Sequence, residues 1–515
     1  MLEAVPGRHG EREDLIAPDA RPQRKHDAKD HGRAHEQDQR PRRAGQDQAP
    51  ALRTTVTGSA ANSTSSSPPS PSAVVLGGGL SGIAAALTLA GAGLRVTVVE
   101  RGASLGGLAG SLEQDGHFYP LGYHHILHRD RRLLYFLDRI GALPRVRWRR
   151  IRMRFERGGE LYELGTPGGF LRFPMRMSDK LRFTRLMLTA FTRKDWSAWQ
   201  DRSAAELVNE LGGPGVRMGL FEDLTRLKFE LPCSEVSGAW LGARLHFREG
   251  SAPLGYIPGA NWTKVLCDGL ARLLADTGVR VLLRTDVTCL RVAEGRISAA
   301  ELSDGRLLDA DAFVSTVPTE VYRTLVVGDD TPVLPDIRYS ALISVVCATR
   351  RPVPPRAYWT NLVSPERTAG AIFLLSELNP TIGRPGDACV NFVTHLRSRD
   401  RPLFHESEEG LMARYRADFS AVFGGDLDPL WTRVTRVPMY SPVFVRHYRN
   451  PPIRSTSWSN VWFAGNYRTF PSIGSTGTAL GAGVETGAAL LAALGRSTPL
   501  ADAVARYRLE AMPRD

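Results

Sequence analysis

The stretch from Ala73 to Val99, AVVLGGGLSGIAAALTLAGAGLRVTVV, constrains the fold more than any other part of the chain. AVVL reads as a short buried strand, Leu80 to Ala92 as a helix stopped by Gly93, and RVTVV as a second strand. Between the first strand and the helix, Gly77, Gly79 and Gly82 fit the pattern G-x-G-x-x-G. In that pattern the first glycine permits a tight turn and the second lets a pyrophosphate approach the backbone. The third lets helix pack closely on strand, and the helix N-terminus faces the phosphates. Glu100 lies 21 residues after Gly79, at the end of the second strand. A carboxylate there can accept hydrogen bonds from adenosine ribose hydroxyls and disfavours a 2′-phosphate. A glycine-rich turn without a ligand is the alternative, but strand, helix, second strand and Glu100 together favour a dinucleotide site.

With 515 residues, the chain has ample length for a large two-domain enzyme. Its five cysteines, Cys233, Cys267, Cys289, Cys347 and Cys389, are scattered without metal-like spacing. That suits a reducing cytoplasm and predicts neither a disulfide framework nor a metal site. No apolar run reaches the ~20 residues that a membrane span needs. The formal net charge is +12, and its surplus lies outside the first 72 residues, with a dense patch at RVRWRRIRMRFER (145–157). Alternation there places Val146 and Trp148, then after a slip Ile151, Met153 and Phe155, on one face of a strand. Its arginine face could be simply solvated, or could meet an anionic substrate or acidic lipid headgroups. No nucleic-acid-binding motif accompanies it, so no nucleic-acid partner is expected.

Residues 1–72 lack apolar periodicity and read as a disordered tail, and 499–515 as a C-terminal tail. Between them the chain leaves the nucleotide domain and returns twice. Residues 73–144, 256–334 and 456–498 form that domain; 145–255 and 335–455 form a substrate domain. Expected elements include a helix at WTKVLCDGLARLLADTG, a strand at VRVLLRTDVTCLRV and a hairpin turning at Asp304-Gly305. Strands are expected at ALISVVCAT and AIFLLSEL, and a closing helix at GVETGAALLAALG.

The second strand runs into ERGASLGG, with a further glycine pair, Gly106-Gly107; STVP occurs at 315–318 and FAGN at 463–466, followed by GAGVETGAALLAAL. This set resembles the flavin amine oxidase, protoporphyrinogen oxidase and phytoene desaturase superfamily. The resemblance spans residues 73–495. It implies a Rossmann-like FAD-binding domain of α/β type, interleaved with an α+β substrate domain of mixed sheet and helices. It further implies that Gly77, Gly79, Leu80, Ser81 and Gly82 meet the pyrophosphate, and that Glu100 and Arg101 flank the adenosine ribose. Gly106, Gly107 and Leu108 would line the route to the flavin ring, and Val287 would border the adenine through its backbone. Gly465 and Asn466 would sit at the ribityl-pyrophosphate, with Gly483 and Val484 near the pyrimidine end of the ring. Asn466 departs from the usual Asp, so a carboxylate role at that position is dropped.

The resemblance implies an oxidoreductase that moves hydride from a substrate C–H bond to flavin N5, forming C=C or C=N. Candidates for orienting substrate or handling a proton are His124 and His125, which follow Gly122, and Tyr256 in LGYIPGANW. The alternative for each histidine is a carbonyl partner or a place in the core, and Tyr256 could be a packed aromatic. Lys264 is placed on a domain-packing helix rather than over the ring. The segment DKLRFTRLMLTAFTRKDWSAWQDRSAAELV is similar to the lid or membrane-facing region of protoporphyrinogen oxidase-like proteins. A bulky small-molecule substrate and peripheral membrane contact are therefore expected. Two other readings stay open: a flavin-dependent sugar-nucleotide mutase resembling UDP-galactopyranose mutase, and a non-catalytic flavin-binding partner.

Overall fold

The computed structural model describes residues 70–247, 253–326, 334–350, 357–472 and 474–507. The expected N-terminal tail lies almost wholly outside the described residues. The segment expected as a C-terminal tail instead opens with a helix, Pro499–Arg506, and Tyr507 packs edge-on against Tyr135.

A five-stranded parallel sheet carries the glycine turn. Its order is Arg280–Leu282, Arg95–Val99, Ser72–Leu76, Ala312–Ser315 and Val461–Phe463. Three separate stretches of chain therefore build one sheet. Parallel strands buried on both faces need continuous apolar runs, and Ala73–Leu76 and Ala312–Ser315 are buried throughout. The first helix, Leu80–Ala90, ends two residues before the expected stop, with Gly91 as its C-cap. It crosses the closing helix, Thr476–Ala493, at glycine contacts. A Cβ on Gly483 would lie 2.0 Å from Ser81 O, and one on Gly487 2.7 Å from Thr88 Cβ.

A seven-stranded sheet forms the other domain, in the order Trp431–Pro442, Tyr339–Thr349, Ala388–Leu396, Ala371–Leu374, Trp359–Leu362, Met153–Arg157 and Glu160–Tyr162. Period-two alternation assigns its faces. Ile343, Val345, Cys347, Val390 and Phe392 pack with Leu411, Tyr415 and Phe419 of the helix Glu408–Phe423. Leu342, Val346, Phe373 and Val393 face the opposite way, toward Tyr123, Tyr256 and Trp359. A register shift between Ser340 and Leu342 places a bulge opposite, in the stretch between Val437 and Ser441. Bulges bend a strand and re-aim its side chains, and Tyr440 sits in this one.

Four expected elements differ from the structure. The arginine-rich strand is two strands in two sheets: Arg147–Arg149 pairs with Leu254–Tyr256, and Met153–Arg157 with Trp359–Leu362. VRVLLRTDVTCLRV breaks because Arg284 N–H and Thr285 N–H turn to the carbonyls of Gly102 and Glu100. Arg280–Leu282 stays in the parallel sheet, and Val287–Ala293 joins a separate three-stranded sheet. AIFLLSEL is strand only to Leu374, and a helical turn follows at Leu375–Leu378. The closing helix starts at Thr476, seven residues before Gly483, because Ser475 and Thr478 form a reciprocal capping box there. No helix among the described residues is long and apolar enough to cross a membrane.

Candidate functional site

The site begins at the turn out of the first strand. Gly77 has φ of 100°, and a Cβ there would lie 2.6 Å from Thr316 Oγ1. A Cβ on Gly82 would lie 2.0 Å from Gly77 O, so glycine alone lets the helix start against the turn. Thr316, within the STVP segment, donates its hydroxyl to Leu76 O at 2.8 Å and locks this conformation. At Gly79, by contrast, a Cβ would meet nothing within 4 Å, so the backbone borders open space. Gly79 is the helix N-cap, with neither a capping side chain nor an acidic residue in the first turn. The amides of Leu80, Ser81 and Gly82 thus lack intrahelical acceptors, and the positive end of the helix dipole faces this turn.

The second glycine pair forms the other wall. Gly106 N–H donates to Gly78 O at 2.9 Å, and Gly79 and Gly106 form an isolated parallel bridge. A Cβ on Gly107 would lie 3.1 Å from Gly79 Cα, and Leu108 stands exposed beside it. Glu100 braces both ends: Oε2 accepts from Gly78 N–H and Oε1 from Gly102 N–H, each at 2.7 Å. Arg101 is exposed next to it. Val287 is buried and pairs with Leu302. The backbone running directly beside Glu100 belongs to Arg284 and Thr285.

Gly465 lies two residues beyond the last parallel strand, and Asn466 Nδ2 donates to Tyr440 O at 3.1 Å. An ionised Asp could not make that bond to a carbonyl, which gives the amide at this position a structural reason. Gly483 and Val484 lie two turns inside the closing helix, with Gly483 against the first helix. The helix end itself is held by Asp130. Asp130 accepts from Ser475 Oγ at 3.3 Å and from Gly477 N–H, and it also caps its own helix through Leu133 N–H at 3.3 Å. Burial raises its carboxyl above the ordinary range. The sequence reading missed Asp130, although an acid directly before RRLLYFLDR is an N-cap signal.

The tandem histidines part company. His124 Nε2 bonds Leu108 O at 2.9 Å and so ties this loop to the second glycine turn. His125 stacks on Trp359, with ring centroids 5.6 Å apart, and its Nε2 lies 2.9 Å from the Tyr358 hydroxyl. Burial lowers both imidazoles, His125 to about 3 with help from neighbouring His124, so both are neutral near neutral pH. Tyr123 stacks on Phe373 at 4.4 Å, and Tyr256 packs on the same cluster. His125 and Tyr256 therefore meet one aromatic cluster, whereas His124 positions backbone. Lys228, His395 and Tyr440 adjoin this cluster, with Lys228 Nζ and the Tyr123 hydroxyl 3.4 and 3.3 Å from His395 Nε2, and the charge of Arg244 acts on Tyr123 and Tyr440. Sequence reasoning missed them because they come from distant helices and strands without a shared motif. Lys264 pairs with Asp268 at 2.6 Å and lies over the Phe118 ring, as expected for a packing helix. A separate polar pocket lined by His117, Arg350, Arg384 and Trp431 contains none of the predicted site residues.

A family profile described as flavin containing amine oxidoreductase matches residues 80–491, and the chain belongs to that family. A search of curated proteins returned no match. Among solved structures, the chain is similar to a protein provisionally named protoporphyrinogen oxidase from Exiguobacterium sp. 255-15 (TM-score 0.66, 17% identity, covering 82% of this chain and 99% of that one). It is also similar to putrescine oxidase bound to putrescine (TM-score 0.61, 15% identity, 82% and 99% covered). A third likeness is to reduced UDP-galactopyranose mutase (TM-score 0.60, 13% identity, 83% and 96% covered). At these identities the three share the fold with this chain. The family implies a flavin cofactor.

Because Asp130 caps two helices, Asp130→Ala should lower the unfolding free energy by about 1–2 kcal/mol in a urea titration. Asp130→Asn should recover only part of that loss, since Leu133 N–H and Ser475 Oγ donate to different carboxylate oxygens and the amide keeps one acceptor. Equal stability of the alanine variant and the parent would contradict the double cap.

Proposed function

We propose that the chain is an FAD-dependent oxidoreductase acting on a C–H bond of a fairly bulky substrate. The observation that carries this reading is the open space at Gly79, enclosed by unpaired helix amides, the second glycine turn and the Glu100 carboxylate. A pyrophosphate fits that cradle by charge and by backbone approach. In this reading Gly77, Gly79, Leu80, Ser81 and Gly82 hold the pyrophosphate, and Glu100 and Arg101 flank the adenosine ribose. The loop before Val287 borders the adenine, and Gly465 and Asn466 approach the ribityl chain. Gly106, Gly107 and Leu108 lead toward the ring, and the end of the closing helix held by Asp130, rather than Gly483 and Val484, faces its pyrimidine side.

Bound FAD supplies a hydride acceptor for the substrate C–H bond, leaving C=C or C=N. The chain's own residues orient the substrate and exclude water. Tyr123, Tyr256 and Trp359 are half-buried on one aromatic cluster and offer apolar surface to a large substrate beside Lys228 and Arg244. His124, bonded to Leu108 O, keeps that cluster in register with the second glycine turn. The mutase reading is favoured by one observation, the two cations beside this cluster, since a sugar nucleotide carries a diphosphate. The two readings separate on turnover: oxidation consumes oxygen or a dye in step with substrate, whereas a mutase consumes neither.

The helix Met177–Thr192 presents Met177, Leu181, Leu188 and Phe191 to solvent, with exposed Arg176, Arg182 and Arg185 beside them. An apolar stripe flanked by arginines suits an anionic lipid surface. In a sedimentation assay the protein should pellet with vesicles containing phosphatidylglycerol, and Leu181→Glu combined with Leu188→Glu should abolish this. Pelleting unaffected by that pair would assign any lipid contact elsewhere.

For the cofactor, mass analysis of the ligand released from purified protein should identify FAD. Glu100→Ala should lower the FAD-to-protein ratio by several-fold while the far-UV spectrum is unchanged. Recovery of NAD, or undiminished FAD in that variant, would refute the respective assignment.

A further inference from the structure

Lys228 and Arg244 are half-buried cations of the substrate side of the molecule. Among the described residues, neither forms an ion pair with a carboxylate, and the Arg244 guanidinium makes no hydrogen bond. Arg154, Arg157 and Arg202, by contrast, pair with Glu163, Asp223 and Glu210. Lys228 Nζ has His395 Nε2 as its hydrogen-bonding neighbour at 3.4 Å and lies 5.2 Å from the Tyr440 ring centre. Arg244 sits 5.7 Å from the Trp240 ring centre.

These groups converge from separate elements. Lys228 comes from the helix Glu222–Phe229 and His395 from the strand Ala388–Leu396, while Arg244, on the helix Gly238–Phe247, acts on Lys228, Tyr123 and Tyr440 through its charge. Tyr440 comes from the bulged strand, and Tyr123 from the loop tied to the second glycine turn through His124. The Tyr123 hydroxyl lies 3.3 Å from His395 Nε2. His395 is 7% exposed, and its Nδ1 has no partner. Lys228, Arg244, Tyr123 and Tyr440 are only partly buried, so they line a space rather than fill a core.

Resting on the flavin reading above, we propose that Lys228 and Arg244, with Tyr123, His395 and Tyr440, form a subsite for an oxyanion of the substrate, a carboxylate or a phosphate. Withdrawing cations from water without a counterion is costly unless one arrives with a ligand. Burial first, and Arg244 second, bring the Lys228 ammonium down to about 7, and Arg244 also acts on Tyr123, His395 and Tyr440. No carboxylate contributes to any of these shifts. An entering oxyanion would be the missing counterion, with the lysine, the arginine and the hydroxyls as donors. A protonated amine would instead meet the like charge of Arg244 and drive the proton from Lys228. Within a family described by amine oxidation, this subsite selects against an amine at this point.

Isothermal titration of the FAD-loaded protein tests this, with inorganic pyrophosphate, benzoate and benzylamine as probes and FAD content read separately from visible absorbance. Pyrophosphate or benzoate should bind, and whichever binds more tightly identifies phosphate or carboxylate as the group. Lys228→Met and Arg244→Met should each weaken that binding about tenfold or more. Lys228→Arg should retain it, and Tyr440→Phe, a milder change, should weaken it several-fold. The subsite is overturned if neither anion binds, if benzylamine binds in their place, or if the anion affinities are the same in all four variants. Benzoate binding that Lys228→Met and Arg244→Met weaken, in protein that retains no FAD, would leave the subsite standing and remove the flavin reading instead.

Discussion

The hydrogen bond from Gly106 N–H to the Gly78 carbonyl is the contact on which the rest of the site depends. It holds two glycine turns, separated by a helix and a strand in sequence, at backbone contact. The second turn needs glycine for this approach, because Gly107 has φ of 54° and a Cβ there would lie 3.1 Å from the Cα of Gly79. Thr316 secures one turn from the parallel sheet, and Glu100 braces the first turn to Gly102. His124 then carries the geometry outward from Leu108 O to Tyr123 and the aromatic cluster.

Much of this frame was legible in the sequence because it is set by local rules. Gly77, Gly79, Gly82 and Glu100 sit at fixed offsets that backbone sterics impose, and the structure places them around one turn. The start of the closing helix was misjudged because Gly477 and Gly481 read as loop, yet they lie inside the helix together with Gly483 and Gly487. They are tolerated inside a helix because Asp130, Arg132 and the first helix occupy the space their side chains would fill. The long strands were misjudged where a neighbour captured the backbone, as Glu100 and Gly102 capture Thr285 and Arg284.

The cations beside the aromatic cluster were not legible for a different reason. The chain contains 66 lysines and arginines, and nothing local distinguishes Lys228 and Arg244 from those that meet solvent or a carboxylate. Their role follows from strand parity and the bulge, which turn His395 and Tyr440 toward the same space. Strand parity also explains why Phe373 and Val393 face the cluster while Ile372 and Phe392 face the helix behind the sheet. Cofactor cradle and anion subsite thus lie on either side of one loop, Gly122 to His125. The family relationship fixes the kind of cofactor, whereas the subsite's charge sets which substrates can be presented to it.

The most direct measurement is a crystal structure of the protein purified with its bound cofactor. The account predicts FAD with its pyrophosphate against Gly79, Leu80 and Ser81, its adenosine ribose at Glu100, and its ring opening onto the cluster of Tyr123 and Tyr440. Density for a nucleotide elsewhere, or a flavin ring turned away from that cluster, would contradict it.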